Sequence, residues 1–198
     1  RTRHRKILLS SELIAWASST EVVDFCEVLK EYFDVTVVIY VRRQDNIIMA
    51  NYNQLVKAGS QRKSLDEIWE DDAERFDYLK VIAPWEQCLG KSKVIVRAYE
   101  KQQFYRGDVR HDFMHSVFGI DIPADYILHA GNSNPRLHPL AIVYKLYLFQ
   151  LFSDPQKVGE FNEALLSYSR ELDANQSNIF SNQSLLSPAI RNLIIQRS

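Results

Sequence analysis

Apolar residues fall along this chain in two alternating rhythms. Val35 to Val41 (VTVVIYV) is a continuous run rich in β-branched residues, the pattern of a strand buried on both faces. Lys93 to Ala98 (KVIVRA) predicts another strand, and Lys6 to Ser10 (KILLS) a short one near the start. Elsewhere the period becomes helical. Val22, Phe25, Cys26, Leu29, Tyr32 and Phe33 predict a helix over Ser18–Phe33, opened by a Ser18–Glu21 capping box. Further helices are expected over Gln44–Lys57, closed by Gly59, and over Asp108–Phe118, between Gly107 and Gly119. Others are expected over Glu74–Trp85 with a break at Pro84, over Ile142–Phe152, and over Ser181–Gln196. Ser60 to Asp72 shows no core period and reads as a polar surface excursion.

Strand, helix, strand, helix and strand in that order predict the α/β class, with a parallel sheet flanked by helices. The expected organisation is a single domain over 1–198 whose C-terminal part, from about residue 140, is mainly helical. Ligands of such sheets sit beyond the C-terminal ends of the strands. Three windows follow: Ser10–Glu12, Arg42–Asp45 and Arg97–Glu100.

Composition narrows the function classes. Hydrophobic residues make up 46% and charged residues 25%, values of a chain that buries a core. A net charge of −1, from 24 basic and 25 acidic residues, argues against a general nucleic-acid binder. No apolar run reaches the roughly 18–20 residues needed to span a bilayer. Cys26 falls on an apolar helical stripe as a buried thiol, and two cysteines fit a reducing, cytoplasmic compartment. Neither has metal-ligand spacing. The chain starts without methionine, so the native start is expected further upstream.

The most informative segment is Val37 to Gly59, where a buried strand runs straight into Arg42 and Arg43 and then a helix. Guanidinium groups there can hold a phosphate bidentately, with amides of the helix start as further donors. They can equally pair with carboxylates such as Asp45 as a helix cap. The segment resembles the part of the P-loop sulfotransferases that binds the 3′-phosphate of 3′-phosphoadenosine 5′-phosphosulfate. In that family a strand ends in an arginine, a serine follows eight residues later, and a tyrosine often lies two beyond it. Arg42 and Tyr52 match, whereas position 50 is alanine. Ile7–Trp16 resembles the strand and turn preceding this motif in carbohydrate sulfotransferases. Lys93–Asp121 resembles a later strand with an arginine and a Tyr-Glu pair, then a helix closing in Phe-Gly. Asn182–Arg191 resembles a C-terminal segment of bacterial members.

The resemblance implies a P-loop sulfotransferase architecture and transfer of a sulfuryl group to a hydroxyl or amine. The partners implied are a small nucleotide donor, leaving as adenosine 3′,5′-bisphosphate, and a glycan-type acceptor such as a bacterial surface polysaccharide, with no metal. Arg42, Arg43, Tyr52, Ser10 and Ser11 would bind the donor, Arg97 and Glu100 would line the acceptor side, and Glu12 would act as general base. Plainer roles stand beside these: Glu12 as a solvated cap, Arg97 and Glu100 as an ion pair, the serines as strand-end donors. The family's strand, glycine-containing phosphate loop and helix have no counterpart here. Gly90-Lys91-Ser92 lacks the earlier glycine and precedes a strand. The resemblance places that loop upstream of Ile7. Two rivals remain: a glycosyltransferase of polysaccharide synthesis, weakened by the lack of an Asp-x-Asp motif, and a non-catalytic relative used for binding.

Other signals carry less. His111 and His115 have the i, i+4 spacing of a zinc pair, but Val109, Phe113, Met114, Val117 and Phe118 predict the buried face and leave the histidines in solvent. Asn175-Gln176-Ser177 and Asn182-Gln183-Ser184 are glycosylation sequons only in a secreted protein. Arg136 and His138 in Asn132–Pro139 could touch an acceptor, although turn chemistry explains that loop. Tyr144, Tyr147, Leu148 and Leu151 read as core or as an interface, with an aromatic sugar platform as the less favoured alternative.

Overall fold

A computed structural model describes residues 6–11, 14, 17–72, 77–126, 135–175, 185, 187, 188 and 192. The fold is mostly helical α/β with a two-stranded parallel sheet. The chain divides into two compact units. One draws on Arg1–Val41 and Asp77–Ala98, the other on Arg42–Phe76 and Tyr99–Ser198.

The first unit holds helix α1 (Ser19–Tyr32), strand β1 (Val37–Val41), helix α4 (Tyr78–Leu89) and strand β2 (Val94–Ala98). β1 and β2 run parallel, in register from Val37 opposite Val94 to Val41 opposite Ala98. The Ser18–Glu21 capping box forms as expected. Val22, Cys26, Trp85 and Val94 make the core, and Phe25 meets Trp85 edge-on at 6.4 Å.

Three expectations change in this unit. Cys26 is not a thiol: it forms a disulfide with Cys88 that ties α1 to α4, so it gives no support to a reducing compartment. Helix α4 does not break at Pro84 but runs through it, with Pro84 and Trp85 buried. Loss of one backbone bond and the ring's clash cost about 3 kcal/mol. Burial of an apolar residue returns about 1.5–3 kcal/mol, and Ile82, Trp85 and Leu89 all contribute. Lys6–Ser10 is not a strand: Ile7, Leu8 and Leu9 are 65%, 62% and 62% exposed. An apolar run becomes a strand only on a partner's edge, and among the described residues β1 and β2 pair with each other.

The second unit is helical. It holds α2 (Gln44–Ala58), α3 (Leu65–Asp72), α5 (Val109–Phe118), α6 (Pro139–Leu151), α7 (Pro155–Gly159) and α8 (Asn162–Ala174). Gly59 closes α2 at a left-handed φ of 81°. The core joins Ile48, Met49, Tyr52 and Val56 of α2 to Leu65, Leu137, Ala141, Ile142 and Leu165.

Here too the periodicity misled in places. The polar stretch after Ser60 contains α3, started by a box in which Ser64 donates to Glu67 and Glu67 N–H returns to Ser64. On α5 the expected apolar face is only half-buried, and the buried side chain is Asp112, 1% exposed. On α6 the tyrosines at 144 and 147 and Leu151 are exposed, and the buried face carries Ala141, Ile142, Lys145 and Phe149. The expected helix over Ser181–Gln196 lies almost wholly outside the described residues. No helix among the described residues is long and apolar enough to cross a membrane.

Candidate functional site

Where β1 ends, Arg42 follows; where β2 ends, Tyr99 follows. Both residues belong to the second unit, and the Arg42 guanidinium lies 4.6 Å from the Tyr99 ring centre. Phe104 meets Tyr99 edge-on at 5.3 Å. These side chains line a cleft of about 660 Å³ within the second unit. Its floor is one face of α2, built by Asn46, Met49, Ala50 and Asn53. Its walls are Tyr99–Gln102, Phe104 and Gly107–Val109, with Arg136 on a further side.

Arg136 is placed by its neighbours. The Asn53 side chain donates to the Leu137 carbonyl at 2.7 Å and accepts from the Leu137 N–H at 3.1 Å. One helical turn later, Lys57 Nζ donates to the Pro135 carbonyl at 3.0 Å. His138 starts α6, its Nδ1 accepting from Leu140 N–H at 3.2 Å and its own N–H donating to Ser169 at 2.8 Å. The strand-like grip on 135–138 leaves the Arg136 side chain exposed at the cleft. Lys101, which also lines the cleft, is exposed.

The cleft's carboxylates differ. Asp108 caps α5 through Arg110 N–H at 2.8 Å and is forked by the Arg110 guanidinium at 2.9 and 2.7 Å. Those bonds hold its carboxyl far below the usual range, so it is a poor proton acceptor. Glu100 accepts from the Gln103 amide at 2.9 Å and faces the cleft.

The sequence-expected residues divide accordingly. Arg42 and Glu100 both line the cleft. Arg43 does not stand ready for a phosphate: its guanidinium forks onto Asp45 at 2.6 and 2.5 Å, and that pair holds the Asp45 carboxyl low. This is the carboxylate pairing at the helix start, although α2 has no side-chain cap bond. Tyr52 is not at the site either: it is 3% exposed in the core, and its hydroxyl donates to the Lys63 carbonyl at 3.0 Å. Ala50 lies on the floor, in the place where the resemblance expects a serine. Ser10 and Ser11 belong to the first unit, in an exposed stretch without secondary structure. Arg97 sits on β2 opposite Tyr40, also in the first unit. Glu12 lies outside the described residues.

Sequence reasoning gave Asn46, Asn53 and Lys101 no role and set Arg136 aside. The signal for the α2 floor was present: positions 46, 49, 50 and 53 repeat at helical spacing behind Arg42. The histidines of α5 do not both lie in solvent as expected: His111 is half-buried, with its Nδ1 buried and without a hydrogen-bond partner among the described residues, and His115 is exposed. His115 stacks on Tyr105 at 3.9 Å and contacts Asp121 through Nδ1 at 3.2 Å. Among the described residues no cluster of His, Cys, Asp or Glu could hold a metal ion.

Over 179 residues the chain is 28% identical to a protein of Archaeoglobus fulgidus described as an uncharacterized protein, a match covering 87% of this chain and 45% of that one. The chain thus spans less than half the length of this relative. No protein-family profile matches the chain, and no solved structure matches it.

Proposed function

We propose that this chain forms the 3′-phosphate end of the donor site of a sulfotransferase that uses 3′-phosphoadenosine 5′-phosphosulfate, with a hydroxyl or amine of a glycan or related molecule as acceptor. The observation that carries the proposal is Arg42: it directly follows a strand paired in parallel, and it lines a cleft that also holds Lys101 and Arg136. A strand-end guanidinium beside a helix start is suited to a bound phosphate. Tyr99 beneath Arg42 restrains the guanidinium and offers a ring face within reach of a flat ligand.

In the transfer, the acceptor oxygen or nitrogen attacks sulfur, the sulfur–oxygen bond to the 5′-phosphate breaks, and a base takes the acceptor proton. Glu100 is the cleft carboxylate fitted to that task, since Asp108 is committed to Arg110. The loop that would hold the 5′-phosphosulfate is not in this sequence, so the proposal gives the chain only the bisphosphate end. A cytoplasmic setting belongs to the same reading, and the Cys26–Cys88 bond weighs against it.

A second reading is favoured by two residues. Ala50 lacks the hydroxyl and Tyr52 is used in the core, as in a non-catalytic relative that keeps the fold for binding. Calorimetric titration with adenosine 3′,5′-bisphosphate, against uridine diphosphate as control, tests the proposal. Selective bisphosphate binding supports it; preference for the uridine nucleotide supports a glycosyltransferase, and absence of both supports the non-catalytic relative.

A further inference from the structure

Arg42, Tyr99 and Phe104 form a series of ring contacts. The Arg42 guanidinium lies 4.6 Å from the centre of the Tyr99 ring, and Phe104 meets that ring at 5.3 Å with 78° between the planes. A guanidinium is attracted over the face of a ring, within about 6 Å of its centre, so the contact depends on how the ring is turned. Tyr99 is 38% exposed, and burial alone does not fix its ring. An edge-to-face neighbour favours one ring orientation, because a positive ring edge meets a negative ring face.

Phe104 itself is held through the backbone. It joins two short 3₁₀ turns, Lys101–Gln103 and Tyr105–Gly107. Its N–H donates to the Lys101 carbonyl at 3.4 Å, and its carbonyl accepts the Gly107 N–H at 2.9 Å. The next N–H, of Tyr105, donates to the Asp112 carboxylate at 2.9 Å, and Asp112 is 1% exposed on α5. The Tyr105 ring stacks on His115 of α5 at 3.9 Å. Arg106 then takes a left-handed φ of 54°, which persists in a residue with a side chain only where the surroundings over-determine it. The segment that carries Phe104 is thus anchored to a helix.

We infer that Phe104 is a positioning residue for Arg42: anchored to α5, it fixes the Tyr99 ring face over which the guanidinium is held. A guanidinium restrained beforehand loses less side-chain freedom when it engages an anion, which tightens binding. As a statement about donor binding this rests on the sulfotransferase reading; as the placement of a guanidinium it stands on the ring geometry alone.

The test reads Arg42 itself, by proton–nitrogen NMR of the full chain. Ring current displaces the Nε–H signal of a guanidinium held over a ring face, and the Arg42 signal is the one that Arg42→Ala removes. The displacement is expected in the wild type, absent in Tyr99→Leu, reduced in Phe104→Leu and kept in Phe104→Tyr, which retains the ring. Should Phe104→Leu not fold, Phe104→Met carries the same expectation. An undisplaced signal in the wild type, or one that the folded Phe104 variant leaves where it was, overturns the inference. Calorimetry with adenosine 3′,5′-bisphosphate reads the consequence for binding. Phe104→Leu should weaken it by about two- to fivefold, the range of a part-exposed cation–π contact, and have no further effect in the Arg42→Ala background. An equal loss in both backgrounds overturns the inference, because Phe104 then acts without Arg42. If the bisphosphate fails to bind while the Arg42 signal depends on Phe104, the sulfotransferase reading falls and the positioning stands.

Discussion

The Asn53 side chain and the Leu137 main chain exchange two hydrogen bonds, at 2.7 and 3.1 Å, as two residues of a sheet would. Asn53 is 4% exposed and Leu137 1%, so no solvent replaces those bonds if the amide is removed. Each buried backbone group left unsatisfied costs about 1–3 kcal/mol. Asn53→Ala is therefore expected to destabilise the second unit by roughly 2 kcal/mol or more, read as a lowered midpoint in urea unfolding. A variant of unchanged stability would show that the amide does not anchor the 135–138 segment.

Tyr52 predicts a response to alkali. Burial, then the charges of Glu67 and Asp66, push its hydroxyl up to about 12. The folded state thus keeps the proton that the unfolded chain releases near pH 10. The stability from this difference is fully present below about pH 10 and is lost as pH rises to about 12, a change of about 2–3 kcal/mol. Tyr52→Phe should flatten that loss, at a cost of about 1 kcal/mol at neutral pH from the Lys63 carbonyl left without its donor. Unfolding curves from pH 9 to 12 measure both effects.

Ala50 offers a gain-of-affinity test. It lines the cleft floor two turns into α2, where the sulfotransferase resemblance expects a serine. Ala50→Ser should tighten adenosine 3′,5′-bisphosphate by about 0.5–1.5 kcal/mol through one added hydrogen bond. The helix loses about 0.5 kcal/mol in propensity. Weaker binding in a folded variant would place the 3′-phosphate elsewhere.

The disulfide joins positions separated by 62 residues. Closing a loop of that length is worth about 4 kcal/mol by chain entropy. Reduction, or replacement of both cysteines by alanine, should lower the unfolding midpoint of the first unit. Curves that coincide with and without reductant would contradict a structural role for the bond.

The sequence made the strands and the helix bounds legible wherever one local signal decided them. β1, β2, α1, α2 and α5 fall within two residues of the expected limits, because capping boxes and closing glycines act locally. Errors arose where a tertiary contact decided. Lys145 sits in the middle of the buried face of α6 because its ammonium donates to the Lys57 carbonyl at 2.7 Å and to Asn162. Asp112 is buried because it accepts the Tyr105 N–H at 2.9 Å. A polarity pattern assigns both to solvent. The α3 helix, by contrast, had its Ser64–Glu67 box in plain view, and the lack of an apolar stripe outweighed it.

The site was half-legible for the same reason. Arg42 could be found because a strand end marks it, and Tyr99 lies one strand over at the matching end. Arg43 and Tyr52 looked equivalent to it in sequence; one is claimed by Asp45 two residues away, the other by the core. Arg136 was set aside because its place depends on Asn53, 84 residues from the Leu137 it grips.

The most direct test of the central claim is the affinity of the full chain for adenosine 3′,5′-bisphosphate, compared between wild type and Arg42→Ala at one salt concentration. The account predicts binding that is selective over uridine diphosphate and weakened by roughly 1.5–3 kcal/mol in the variant. Binding that Arg42→Ala leaves unchanged, or no binding by the wild-type chain, would contradict it.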